Sequence, residues 1–165
     1  MSKSNLFFPL TALLASISAG AADTALPAPS TAQPVIAFVC EHGSAKSMIA
    51  AAYFNRLAEK NALPIRAISR GLTLDAHLQN ATRTGLINDG INTADLLPQQ
   101  LAPMDAQQAL QIISIGIERE PDYLRTDKLR EWDGVPSVSK DYGAARDDIV
   151  KRVQALIESL KTTQQ

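Results

Sequence analysis

The sequence contains a single cysteine, Cys40. That excludes an internal disulfide, a CxxC redox pair and any zinc site built on a cysteine cluster. Histidine is nearly as scarce, and His42 and His77 do not make a metal-ligand pattern, so no metal and no cofactor are expected. Aromatic residues make up only 5% of the chain, which argues against platforms for stacking bases. An excess of charge is also missing. The formal net charge is -1, so there is no basic field to attract nucleic acid or an anionic membrane surface. No internal repeat is visible. What is present is ordinary for one globular domain with a proper core: 165 residues, 45% hydrophobic and 20% charged.

The N-terminus reads as a targeting segment. Lys3 precedes an apolar run at 6–17 (LFFPLTALLASI), too short for a comfortable membrane span. Small residues at 18–22 (SAGAA) follow, placed for cleavage after Ala21 or Ala22. Residues 1–21 are therefore expected to be a signal peptide, and the protein to be exported, periplasmic or secreted, with no stable membrane insertion after signal removal. Residues 22–33, rich in Ala, Pro, Ser and Thr, are expected to be a disordered linker. The domain is expected at 34–165.

Within that domain apolar strands alternate with helical patterns. Strands are expected at 35–40, 65–69, 111–115 and 129–132. Helices are expected at 45–60, 75–89, 93–97, from 103 onward with Asp105 as a cap, and 141–161. Residues 118–127 read as a polar loop or short helix. The last helix carries Ile149, Val153, Leu156, Ile157 and Leu160 at helical spacing. Alternation of this kind implies an α/β fold with a parallel sheet and right-handed crossovers. The strands at 35–40 and 111–115 are nearly all apolar, as a sheet covered on both faces requires. Ligands in such sheets bind beyond the carboxyl ends of the strands, and Cys40 stands at one.

The stretch after that strand is the chemically informative one. Cys40 is followed by Glu41, His42, Gly43, Ser44, Ala45, Lys46 and Ser47, and then by apolar helix residues. Gly43 permits the left-handed turn that bends amides inward. A helix N-terminus after a thiol favours the thiolate, and the Ser47 hydroxyl can stabilise it further. Backbone amides and a helix N-terminus aimed at one point make an oxyanion cradle.

The order Cys40 to Ser47 after an apolar strand resembles the phosphate loop of the low-molecular-weight protein tyrosine phosphatases, a fold shared by arsenate reductases. The resemblance runs from about residue 34 to 160. It includes Gly90, Ile91 and Asn92, Leu101, the strand at 112–115, and the 132–136 region before the final helix. It implies a three-layer sandwich around a four-stranded parallel sheet. It also implies a phosphate-monoester hydrolase of phosphotyrosine type, with Cys40 as nucleophile, Ser47 as the hydroxyl holding its thiolate, and the amides from Glu41 to Lys46 as oxyanion cradle. Phosphate or a similar oxyanion, in the form of a phosphotyrosine protein or a small aryl phosphate, is the implied partner.

The sequence departs from the family at decisive positions. Lys46 stands where the family has an arginine, so the charge survives but the planar fork does not. Arg70, after the second strand, is an accessory candidate for supplying a guanidinium; it also reads as a surface arginine. His42 lines the rim, contacts the thiolate or is simply solvated. The Glu41 side chain is expected to point outward. The family's proton-donating Asp-Pro pair is missing, since Val135 precedes Pro136. Asp133 is the substitute considered first and Asp141 the second, and either also reads as a turn or cap residue. Tyr142 suits an aromatic rim or a packing role. Three further readings stay open: a non-catalytic oxyanion- or phosphoprotein-binding module, an arsenate reductase borrowing an external thiol, and, more distantly, a thiol redox sensor.

Overall fold

The computed structural model describes residues 33–163. The expected signal segment lies outside the described residues, as does the expected linker apart from Gln33. Eight regular elements follow: β1 (Val35–Cys40), α1 (Lys46–Lys60), β2 (Arg66–Gly71), α2 (Asn80–Asn88), α3 (Pro103–Gln108), β3 (Gln111–Ile115), β4 (Leu129–Trp132) and α4 (Tyr142–Thr163). A single 3-10 turn, Asp122–Leu124, precedes β4. The four strands form one parallel sheet in the order β2-β1-β3-β4. The expected three-layer α/β architecture is the one observed.

Alternation along β1 explains the layers, because successive side chains point to opposite faces. Ile36, Phe38 and Cys40 pack on one face with Ile113 and Ile115 against α1 and α4. Ala37, Val39 and Ile112 pack on the other with Leu101, Ala106 and Leu124. The first face carries the long helices, and Phe38 anchors it between Phe54 and Trp132, at ring-centroid distances of 5.9 and 5.5 Å. Burying each such side chain contributes roughly 1.5–3 kcal/mol. The stripe read in the last helix is real: Ile149, Val153 and Ile157 are buried, while Leu156 and Leu160 are partly so.

Three expected helices differ from the structure. The helix expected at 75–89 begins only at Asn80. The Asp75 and Gln79 amides donate instead to the His42 and Ser44 carbonyls, both at 3.3 Å, so this stretch is bound to the cysteine loop rather than coiled on itself. No helix forms at 93–97; Asn92 Oδ1 accepts from the Ala94 amide at 2.9 Å and closes a turn. Asp105 lies inside α3 rather than before it, and reaches back to accept from the Ala102 amide at 2.9 Å. Among the described residues no helix is long and apolar enough to cross a membrane.

Candidate functional site

The carboxyl ends of β1 and β3 and the N-terminus of α1 meet at a cleft of about 200 Å³. Cys40 is the last residue of β1, paired in register with Gly71 of β2. It is buried, with 6% of its surface exposed. Its Sγ lies 2.9 Å from Ser47 Oγ, at the start of α1. Ser47 Oγ lies 2.9 Å from Ser69 Oγ, and Ser69 also reaches the Gly43 carbonyl at 3.5 Å. A hydroxyl chain therefore runs from the floor of the sheet to the thiol. The single Ser69 proton goes either to the Gly43 carbonyl or to Ser47, and in the second arrangement Ser47 is free to donate to a thiolate.

The loop after Cys40 is held by its carbonyls. The Cys40 and Glu41 carbonyls accept from the Leu72 amide, and Glu41 accepts from Thr73 as well. His42 accepts from Asp75 and Ser44 from Gln79, while Gly43 accepts from the Ser69 hydroxyl. All five consecutive carbonyls thus bond to the 69–79 segment. A planar peptide unit sets each C=O opposite the next N–H. The amides of residues 41–45 are therefore turned away from that segment, which is the arrangement an anion cradle needs. Gly43 makes the bend possible at φ 66°, a conformation that costs a side-chain-bearing residue roughly 1–2 kcal/mol.

Glu41, His42, Ser44, Ala45 and Lys46 line the cleft with Cys40. Lys46 has no ion pair among the described residues. A Cβ added at Gly116, past the end of β3, would lie 3.0 Å from its Nζ. The cation thus stands between the cysteine loop and the far wall, which Ser137, Val138 and Ser139 complete. Glu41 borders the cleft, but it is exposed and its Oε1 accepts at 3.2 Å from Thr73 Oγ1, on a residue outside the cleft lining. His42 lies at the rim, its Nδ1 3.2 Å from Thr73 Oγ1.

The accessory candidates fall elsewhere. Arg70 is fixed by Asp105 through Nε and Nη2, at 2.9 and 3.0 Å, and by Gln99 at 2.8 Å. It does not line the cleft, so the accessory role considered for it, supplying the missing guanidinium, is not met. This guanidinium holds the Asp105 carboxyl below the usual range: burial pushes it up, and the Arg70 and Ala102 hydrogen bonds outweigh that. Asp133 lines a separate depression with Glu118, Glu120 and Glu131 and is not brought to Cys40. Asp141 is a helix cap, its Oδ1 accepting from the Ala144 amide at 2.9 Å. Tyr142 is no aromatic rim. It donates to Asp89 Oδ2 at 2.6 Å, beside Tyr53 at 2.7 Å, while Arg146 donates to Asp89 Oδ1 at 2.8 Å. Val135 is buried in the core rather than facing the cleft.

Sequence reasoning missed two cleft residues on the β2–α2 segment. Asp75 lines the cleft and accepts a hydrogen bond from the buried Ser44 hydroxyl. Its other oxygen lies 4.0 Å from His42 Nδ1. Gln79 lines the cleft too, and its Oε1 is buried and unpartnered among the described residues. No local signal distinguishes either residue from an ordinary helix start. Among the described residues no group of three or more His, Cys, Asp or Glu side chains is gathered to hold a metal ion.

No family model matches the sequence, and no curated protein matches it. Solved structures do match the fold. YfkJ from Bacillus subtilis superposes with a TM-score of 0.72 at 20% identity, covering 83% of this chain and 100% of its own. An arsenate reductase in the phosphate-binding state gives 0.66 at 18% identity, covering 77% and 98%. The low-molecular-weight protein tyrosine phosphatase of T. tengcongensis gives 0.65 at 18%, covering 76% and 99%. The cysteine loop, the parallel sheet and the final helix thus belong to a chain with the fold of low-molecular-weight protein tyrosine phosphatases and arsenate reductases.

Proposed function

We propose that the protein is a cysteine-dependent phosphate-monoester hydrolase acting on phosphotyrosine proteins or small aryl phosphates. One observation carries this reading. The Cys40 thiol, 2.9 Å from Ser47 Oγ, sits at the head of a loop whose carbonyls all bond outward. A nucleophile, a hydroxyl that stabilises its charged form and a set of turned amides serve attack on phosphorus with charge building on its oxygens. Lys46 supplies a positive charge to those oxygens. Lacking a fork, it orients them less well than an arginine would, so turnover is slow.

A second reading is favoured by the same Lys46 and by the burial of Val135 in the core. It is a non-catalytic module that binds oxyanions or phosphoproteins. Arsenate reduction is supported by the likeness to an arsenate reductase, but with Cys40 as the sole cysteine it needs an external thiol. A redox sensor remains the most distant alternative. The N-terminal sequence further supports export, with action in the periplasm or outside the cell. Fractionating cells that express the full chain tests that, and retention of the uncleaved protein in the cytoplasm argues against it.

The mature protein is assayed on p-nitrophenyl phosphate beside Cys40→Ser and Lys46→Arg. Turnover that Cys40→Ser abolishes and Lys46→Arg raises supports the hydrolase. Phosphate binding without turnover, even in Lys46→Arg, overturns it in favour of the binding module.

A further inference from the structure

The cleft holds a nucleophile and a cation, but the aspartates expected to give the leaving group its proton are elsewhere. Two carboxylates line it: Glu41 and Asp75. Glu41 is a residue of the loop itself, and its Oε1 is taken by Thr73. Asp75 comes from outside the loop, on the segment that clamps it. One of its oxygens is anchored by the hydroxyl of Ser44, which is 1% exposed. The other is left to the open cleft, 4.0 Å from His42 Nδ1, and the side chain is 46% exposed. The carboxyl is thus fixed in place by the cysteine loop and has one oxygen available to carry a proton.

We propose that Asp75 is the proton donor to the leaving oxygen and then the base for the attacking water. The inference rests on the hydrolase reading of the same cleft. In the first step Cys40 Sγ bonds to phosphorus as the bond to the leaving oxygen breaks, and that oxygen takes the Asp75 proton. In the second, water attacks phosphorus, its proton passes to the Asp75 carboxylate, and the sulfur–phosphorus bond breaks to release phosphate. Ser44 is a positioning residue in this scheme. Cys40, Glu41, His42 and Lys46 are the charged or titratable groups that line the cleft with Asp75.

Leaving-group dependence tests it. A donor matters for a basic leaving group and little for an acidic one. The kcat/KM of the protein and of Asp75→Asn is measured on phenyl phosphate and on a dinitrophenyl phosphate. The variant should lose roughly a hundredfold on phenyl phosphate and less than about tenfold on the dinitrophenyl ester. The ratio of the two losses within one preparation cancels any loss of folded protein. Equal losses on both esters, or none, overturn the proposal. So does a leaving-group-dependent loss in Glu41→Gln that Asp75→Asn lacks. Failure of the hydrolase reading looks different: the unaltered protein turns over neither ester and places no phosphate on Cys40, which overturns both. Turnover with equal losses overturns only the role of Asp75.

Discussion

Gly43 and Gly71 touch backbone to backbone, so that a Cβ at residue 71 would lie 2.6 Å from the Gly43 nitrogen. The cysteine loop and the end of β2 meet here with no room for a side chain. Gly71→Ala is therefore expected to push the loop off its seat. Overpacking of this kind costs roughly 1–3 kcal/mol. Thermal unfolding should show a lower Tm, and calorimetric titration should show weakened binding of inorganic phosphate. An unchanged Tm with full phosphate binding would mean that the two glycines are not tightly coupled.

Ser47 is expected to matter for rate more than for stability. Ser47→Ala removes the hydroxyl 2.9 Å from Cys40 Sγ. A hydrogen bond to a charged group contributes roughly 1.5–3 kcal/mol, or about tenfold to a hundredfold in rate. Initial rates on p-nitrophenyl phosphate should fall by that factor, and alkylation of Cys40 by iodoacetamide should slow. Equal alkylation rates would remove Ser47 from the thiolate's support.

Much of this site was legible in the sequence, and what was not has a common cause. Strands β1 and β3 announce themselves as apolar runs, and Cys40, Gly43 and Ser47 lie within one short stretch. The Ser44–Asp75 bond joins residues 31 apart, and the Arg70–Asp105 pair residues 35 apart. A carboxylate that long-range folding brings to a cleft looks, in sequence, like any helix-starting aspartate. Residues 75–79 have a helical pattern, but the Asp75 and Gln79 amides bond to loop carbonyls instead. Tyr142 was ambiguous for the same reason, because Asp89 and Arg146 decide its role.

Asp89 gathers three donors, and its carboxyl lies below the usual range. Burial alone would raise it, and the hydrogen bonds from Tyr142 and Tyr53, with the Arg146 charge, more than offset that. Burial first, and then the hydrogen bond to Asp89 and its charge, push both tyrosines up against the opposing Arg146 charge. A carboxyl lowered on folding stabilises the protein above its unfolded value, near 3.8, and the contribution is lost as pH falls through the lower folded value. Thermal melts between about pH 7 and about pH 2 should therefore show Asp89→Asn less stable at neutral pH, by roughly 1–3 kcal/mol, with the gap closing in acid. A gap of constant size across that range would rule out this linkage.

Gly85 reverses an ordinary expectation. Glycine to alanine inside a helix usually stabilises by about 1 kcal/mol. In α2 the new Cβ would sit 2.2 Å from Cζ of Tyr142. Gly85→Ala should instead lower the Tm and displace the tyrosine from Asp89. In a Tyr142→Ala background the same change should become neutral or stabilising, a coupling that a double-mutant cycle of melts measures directly. Additive effects would show that the ring does not rest on Gly85.

The five outward carbonyls of the cysteine loop have a consequence for how the protein breathes. Their donors include the amides of Leu72, Thr73, Asp75 and Gln79. Loop and clamp cannot open independently without stranding those amides, so they form one unit of local unfolding. An anion seated on the loop holds that whole unit shut. Its presence is then written in the hydrogen exchange of Leu72 and Thr73, residues that do not line the cleft at all.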